Sequence, residues 1–223
     1  MAKQMRAQVH QTIVGHVPKG AHVLDVGCGA GCDTAWLVAQ GYQVTAMDAS
    51  VGMVKQSKIR VPKAHVLHAS AEQLPVDDIK QPIDAVLLNF GVINAIDPVA
   101  FIQSLEALVH SQTVLIVVSM PRFHMAWVLR LLTRGHLRRA WQRCRPEIDI
   151  DVHGQAVRTR YWNRSELQER WPRWRCTHHQ GLGMLIPPQS RHRASLKALE
   201  CRMAHLPVVW EWGDHALTVW RQI

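Results

Sequence analysis

The chain has 223 residues, 48% of them hydrophobic, which suits one α/β domain with a full core and excludes a disordered chain. The formal charge of +9 is unevenly spread. Residues 1–121 carry 8 Lys/Arg against 9 Asp/Glu, and residues 122–223 carry 18 against 8 together with eight of the nine tryptophans. A basic, Trp-rich second part is where an anionic partner or surface would be met. No apolar run is long enough to span a bilayer, and residues 1–10 lack the apolar stretch of a secretory signal. The five cysteines form no CxxC pair and read as reduced thiols. A cytoplasmic protein is expected, with peripheral contact to a membrane as the one addition.

In chain order, strands and helices alternate through the first 121 residues. A buried strand is predicted at 21–26, ending in glycines, then a helix at 33–40 stopped by Gly41. A second strand at 43–47, a short helix at 50–58 and a third strand at 64–68 follow. The fourth strand, 83–88, is apolar on both faces. Asp97-Pro98 opens a helix expected to run to about His110, and 113–119 is the fifth strand. This alternation implies a parallel sheet covered on both sides. The rest is less regular: a helix at 122–144 interrupted at Gly135, a strand at 156–161, a helix at 163–171, a strand at 175–185, a helix at 194–205 and a last strand at 216–220. One domain over 1–223 is expected, with a cofactor-binding half (1–121) and a partly helical cap inserted after strand five.

The strongest local signal is Val23-Leu24-Asp25-Val26-Gly27-Cys28-Gly29-Ala30-Gly31. Glycines after a strand permit a tight turn and close approach of a ligand to the backbone. A dinucleotide fingerprint would need its third glycine at position 32, which is cysteine. An acid two residues before the first glycine suits a cationic ligand. Asp48 ends the second strand, where a carboxylate can accept two ribose hydroxyls. The run from Val23 to Gly31 resembles motif I of the class I S-adenosylmethionine-dependent methyltransferases. The Asp48-x-Ser50-x-x-Met53 pattern and the Ala69-Ser70-Ala71-Glu72-Gln73-Leu74-Pro75 run are similar to members of the menaquinone/ubiquinone methyltransferase group.

The resemblance covers about residues 20–120. It implies a doubly wound, Rossmann-like, seven-stranded and mostly parallel sheet. It implies S-adenosylmethionine as cofactor, with Asp25 toward the methionine end. Gly27, Cys28, Gly29 and Gly31 would border ribose and methionine, Asp48 would hold the ribose, and Ala49 and Met53 would flank the adenine. Ser70, Ala71 and Glu72 would lie by the adenine amino group. Relatives carry Asp at the Ser70 position, so this contact departs from the pattern. Asn89 and Phe90 follow strand four at the lip of the sheet, where ligands sit in open α/β folds.

In-line methyl transfer needs positioning above all, and a base only when the acceptor must lose a proton. His124, directly after strand five, is the first candidate for base or acceptor contact, with Asn94 and His215 behind it. Cys176, His178 and His179 lack a fourth ligand at useful spacing, so no metal is assigned. The post-strand-four run Asn89-Phe90-Gly91-Val92 is not the [D/N]-P-P-[Y/F] of nucleic-acid amino methyltransferases. No cysteine has the Pro-Cys or Thr-Cys context of cytosine-C5 enzymes. A small, hydrophobic or anionic acceptor is therefore expected. An RNA methyltransferase and a non-catalytic cofactor-binding subunit are the alternatives. The arginine-rich segment 123–144 reads as a lid over a lipophilic acceptor, as a dock for an acidic carrier protein or anionic membrane, or as a core helix with a solvated arginine face.

Overall fold

The computed structural model describes residues 2–79, 82–122, 128, 131–136, 146–152, 155–183 and 213–223. Helix α1 is Ala2–His16, β1 His22–Val26, α2 Cys32–Ala39, β2 Gln43–Asp48, α3 Val51–Arg60 and β3 His65–His68. Strand β4 is Ile83–Leu88, α4 Pro98–Leu105 and β5 Val109–Ser119. A hairpin of β6 (Glu147–Val152) and β7 (Gln155–Arg160) follows, then α5 (Arg164–Arg170), β8 (Trp174–Leu182) and β9 (His215–Gln222).

Seven strands form one sheet in the order β3-β2-β1-β4-β5-β9-β8. Strands β1 to β5 pair in parallel, and β9 is antiparallel to both of its neighbours. The order reverses between β1 and β4, which creates the crevice outside their carboxyl ends where doubly wound sheets bind ligands.

Alternation along each strand divides the core in two. Leu24, Val26, Val86, Leu88, Leu115 and Val117 face α4 and α5, with Phe101, Trp162, Trp171, Trp174 and Trp220. Val23, Ala85, Leu87, Val114, Ile116 and Val118 face the other way, onto Val9 and Ile13 of α1, Leu37 of α2 and Val54 of α3. Among the described residues, the second part's four tryptophans, Trp162, Trp171, Trp174 and Trp220, all serve as core: Trp171 is fully buried, edge-on to Trp220 at 5.2 Å, and its indole N–H donates to the Pro98 carbonyl at 2.8 Å.

The helix predicted to run to His110 ends at Leu105, and β5 starts at Val109. His110 is drawn into the sheet instead, its ring 3.2 Å from Asp84 of β4 and its N–H on the Thr113 hydroxyl. The start was legible: Asp97 caps α4 by accepting the Val99 N–H. The predicted helix at 163–171 is α5, closed by a reciprocal capping box between Asn163 and Glu166. Of the segment after β5, residues 131–133 are helical, but the described structure leading into α5 is the β6–β7 hairpin, whose first strand was not foreseen. Most of the arginine-rich segment 123–144, including His124, and the helix expected at 194–205 lie outside the described residues. Among the described residues, no helix is long and apolar enough to cross a membrane.

Candidate active site

The glycine turn is built for backbone approach. Gly27, Gly29 and Gly31 have φ of 68, 54 and 77°, the left-handed region that penalises a side chain. A Cβ on Gly27 would fall 2.5 Å from Val92 Cγ2, and one on Gly31 2.6 Å from Ser57 Oγ. A Cβ on Gly29 would meet nothing within 4 Å. Gly27 and Gly31 are thus held by packing below the turn, while the space above Gly29 is open.

Asp48 fastens the end of β2 to this turn. One carboxylate oxygen accepts the Gly29 N–H at 2.9 Å and the other the Ser50 N–H at 2.8 Å. Each oxygen retains lone-pair capacity, so the carboxylate is fixed in place and still able to accept two hydroxyls. Ser50 then caps α3 by accepting the Met53 N–H. Ala49 is exposed, with its carbonyl bonded to His68, and Met53 is half-buried beside it. Cys28 bonds through its backbone N–H to the Met47 carbonyl, while its thiol turns toward Ser57. Burial, with the charge of Asp25, pushes that thiol up to about 12, so it stays protonated and is no nucleophile.

Asp25 is 2% exposed and accepts the Thr34 hydroxyl at 2.6 Å. Burial, above all, raises its carboxyl from 3.8 to about 7; the charges of Asp33 and Asp48 add to the rise, while the Thr34 bond and Arg6 oppose it. A carboxyl held so reluctantly as an anion is primed for a cationic ligand group.

Beyond β3, the predicted residues divide. Ser70 accepts the Glu72 N–H, and buried Ala71 receives the Ser104 hydroxyl on its carbonyl. Glu72 directs its carboxylate to the Asp97 N–H at 2.7 Å, so that group fastens the loop to the start of α4. At the end of β4, the Asn89 amide donates to Asp33 at 3.0 Å and accepts the Phe90 N–H. Phe90 is the one non-glycine with positive φ (49°) among the described residues, a strained conformation of the kind that gathers at functional sites.

Asp33, at the start of α2, is a centre that sequence reasoning missed. It is 6% exposed and meets Arg6 and His10 of α1, each at 2.9 Å, as well as Asn89. His10 stacks on Trp36 at 3.7 Å, and the Arg6 guanidinium lies 4.8 Å from the Phe90 ring centre. Three elements are thereby tied over the crevice. In the sequence Asp33 looks like an ordinary first-turn acid, and only the long-range partners reveal it.

Asn94 is structural: its amide spans the Met120 and Arg160 carbonyls, and its oxygen accepts the Met120 N–H. His215, at the start of β9, pairs with Asp214 at 3.0 Å and meets the Phe90 ring edge-on at 6.3 Å. Among the described residues, no three His, Cys, Asp or Glu side chains gather as a metal site.

The glycine turn with open space above Gly29, an anchored carboxylate at Asp48 and a buried acid at Asp25 fit a nucleoside bearing a cationic tail. Residues 24–117 match the methyltransferase domain family. Demethylmenaquinone methyltransferase from Clavibacter sepedonicus is 37% identical over 82 residues, 35% of this chain and 33% of that protein. Malonyl-[acyl-carrier protein] O-methyltransferase from Pseudescherichia vulneris is 32% identical over 112 residues, 48% of this chain and 44% of that one. The matched part thus spans about a third to under half of these curated relatives. Similarity to solved structures extends over nearly the whole chain. A Clostridium acetobutylicum S-adenosylmethionine-dependent methyltransferase has TM-score 0.65 at 10% identity, covering 99% of this chain and 91% of the other. The Burkholderia thailandensis 1,6-didemethyltoxoflavin-N1-methyltransferase, solved with S-adenosylhomocysteine, has TM-score 0.61 at 18% identity, covering 98% and 77%. Residues 24–117, under half of the chain, are thus similar to the methyltransferase domain family, and the chain has the fold of the solved S-adenosylmethionine-dependent methyltransferases.

Proposed function

We propose that this chain transfers a methyl group from S-adenosylmethionine to a small hydrophobic or anionic acceptor. The observation that carries the reading is the Asp48 carboxylate, locked by two backbone N–H groups beside an open glycine turn at the sheet's switch point. The cofactor supplies an activated sulfonium methyl. The chain's part is to bind and align. Asp48 accepts the ribose hydroxyls, the backbone of Gly27 to Gly31 borders ribose and methionine, and Asp25 favours the cationic tail. Ala49, Met53, Ser70 and Ala71 line the adenine side. Asn89 and Phe90, braced by Asp33 and Arg6, form the lip facing the acceptor. Alignment of this kind accounts for up to about 7–11 kcal/mol of barrier lowering, without a strong catalytic group.

The small-molecule class is supported by the names of the relatives above and by the absence of both nucleic-acid motifs. The basic second part, net +10 over residues 122–223, makes an acidic carrier protein the first partner to offer. The test is formation of S-adenosylhomocysteine, followed by mass spectrometry, with lipophilic hydroxyl, amine and carboxyl acceptors, acyl carrier protein and bulk tRNA. Turnover with a small molecule or carrier-bound acceptor supports the reading. Turnover with tRNA alone overturns it.

A further inference from the structure

The Asp214–His215 pair lies where a reacting group would be useful. β9 is antiparallel to its neighbours, so its first residue sits at the carboxyl ends of the parallel strands, with Ala216 opposite Ser119 at the end of β5. His215 itself pairs with Leu182, the last residue of β8. The approach to this point is sterically fixed: a Cβ on Gly213 would fall 2.8 Å from the Leu182 carbonyl oxygen. From there the imidazole reaches across β5 to the edge of Phe90 at the lip of β4.

The pair has a defined polarity. His215 Nδ1 is 3.0 Å from Asp214 Oδ2, and a carboxylate can only accept, so Nδ1 carries the hydrogen. That leaves Nε2 with its lone pair. Among the described residues no hydrogen bond occupies it. The His215 side chain is 14% exposed and the Asp214 side chain 30%, so the ring is sheltered while its partner keeps contact with water. Asp214 is in direct contact with this ring, and the Arg6 guanidinium of α1 lies 4.8 Å from the centre of Phe90, the ring's aromatic neighbour. A histidine whose tautomer is set by a carboxylate, and whose second nitrogen meets no hydrogen-bond partner among the described residues, has the arrangement of a general base.

We infer that His215 is a catalytic general base, with Asp214 as its positioning residue, and that the acceptor carries a weakly acidic hydroxyl of the phenol class. The inference rests on the function proposed above. Carboxylic acids are already ionised near neutrality and need no base, whereas a phenol hydroxyl, with a pKa of about 10, does. In the step, the hydroxyl proton passes to His215 Nε2, and the oxygen's electron pair forms the new C–O bond. The S–CH₃ bond breaks with its pair retained by sulfur. The products are the methyl ether, S-adenosylhomocysteine and an imidazolium that returns its proton to water.

The test uses the full chain with phenol and p-nitrophenol as probes, at mildly alkaline pH where p-nitrophenol is already ionised. Binding of S-adenosylhomocysteine is measured in parallel to verify each variant. His215→Gln is expected to lose about 100-fold in turnover of phenol while staying within about threefold of wild type on p-nitrophenol. Asp214→Asn should move the imidazole proton toward Nε2 in nitrogen-15 spectra and lower phenol turnover, with recovery in Asp214→Glu. Equal losses of His215→Gln on both probes, no loss on phenol, a wild-type Nε2–H tautomer, or methylation of neither probe by a protein that binds S-adenosylhomocysteine would each overturn the inference. Failure to bind S-adenosylhomocysteine would instead remove the function beneath it.

Discussion

Asp25→Asn separates what the buried acid costs the fold from what it gives the site. Asp25 titrates at about 7 in the folded protein against 3.8 ordinarily. Below the lower value both folded and unfolded chains hold the proton, and Asp25 makes no pH-dependent contribution. As pH rises between the two values the unfolded chain ionises first, so stability falls; above about 7 the penalty is constant. The whole interval corresponds to a ceiling on the order of 4 kcal/mol, at about 1.4 kcal/mol per tenfold. Asparagine keeps the shape and can still accept the Thr34 hydroxyl, but does not titrate. Urea unfolding of both proteins at about pH 5 and pH 8 isolates the effect, because other titrating groups cancel in the difference. The stability of Asp25→Asn relative to wild type should rise by about 2–3 kcal/mol between those conditions. A relative stability that does not change with pH would refute the buried, reluctant anion. The same variant should bind S-adenosylmethionine more weakly than wild type at the higher pH, since the anion that destabilises the fold is the one proposed to meet the cationic tail.

Asp48→Ala should weaken S-adenosylhomocysteine binding by about 1–3 kcal/mol in calorimetry, and unchanged affinity would sink the ribose assignment. Gly27→Ala and Gly29→Ala should diverge. The first meets Val92 and should lower stability by about 2–3 kcal/mol; the second, with free space, should lose about 1–2 kcal/mol from φ alone but most of the cofactor affinity. Equal profiles for the two would contradict the picture of a packed underside and an open upper face. Asp33→Asn should speed amide exchange across residues 2–16 and reduce cofactor affinity, because α1 loses the charge partner of Arg6 and the carboxylate that His10 contacts. Unaltered exchange would mean that apolar packing of Met5, Val9 and Ile13 holds α1 alone.

The parts of the site that were legible in the sequence are those that a strand delivers locally. Asp25, the three glycines and Asp48 sit at or beside strand ends, so strand pattern, turn chemistry and the motif resemblance marked them together as candidates. Glu72 and Asn94 show the limit. Each lies in a suggestive place, but the partner that defines its role is 25 or more residues away: the Asp97 N–H for Glu72, and the Met120 and Arg160 backbone for Asn94. Asp33 is the converse, a plain helix-start acid that becomes a hub only when α1 folds over the crevice. The Asp214–His215 pair gains its meaning from topology. Only the reversed direction of β9 carries its first residue to the lip at Phe90. The early end of α4 has the same origin, since local sequence favoured more helix and the pairing of β5 with β4 took those residues.

The most direct test of the central claim is calorimetric titration of the purified, folded chain with S-adenosylhomocysteine at low and moderate salt. Binding with a dissociation constant on the order of micromolar, little changed by salt and weakened by Asp48→Ala, is the expected result. No binding to a protein with an intact cooperative unfolding transition would contradict it.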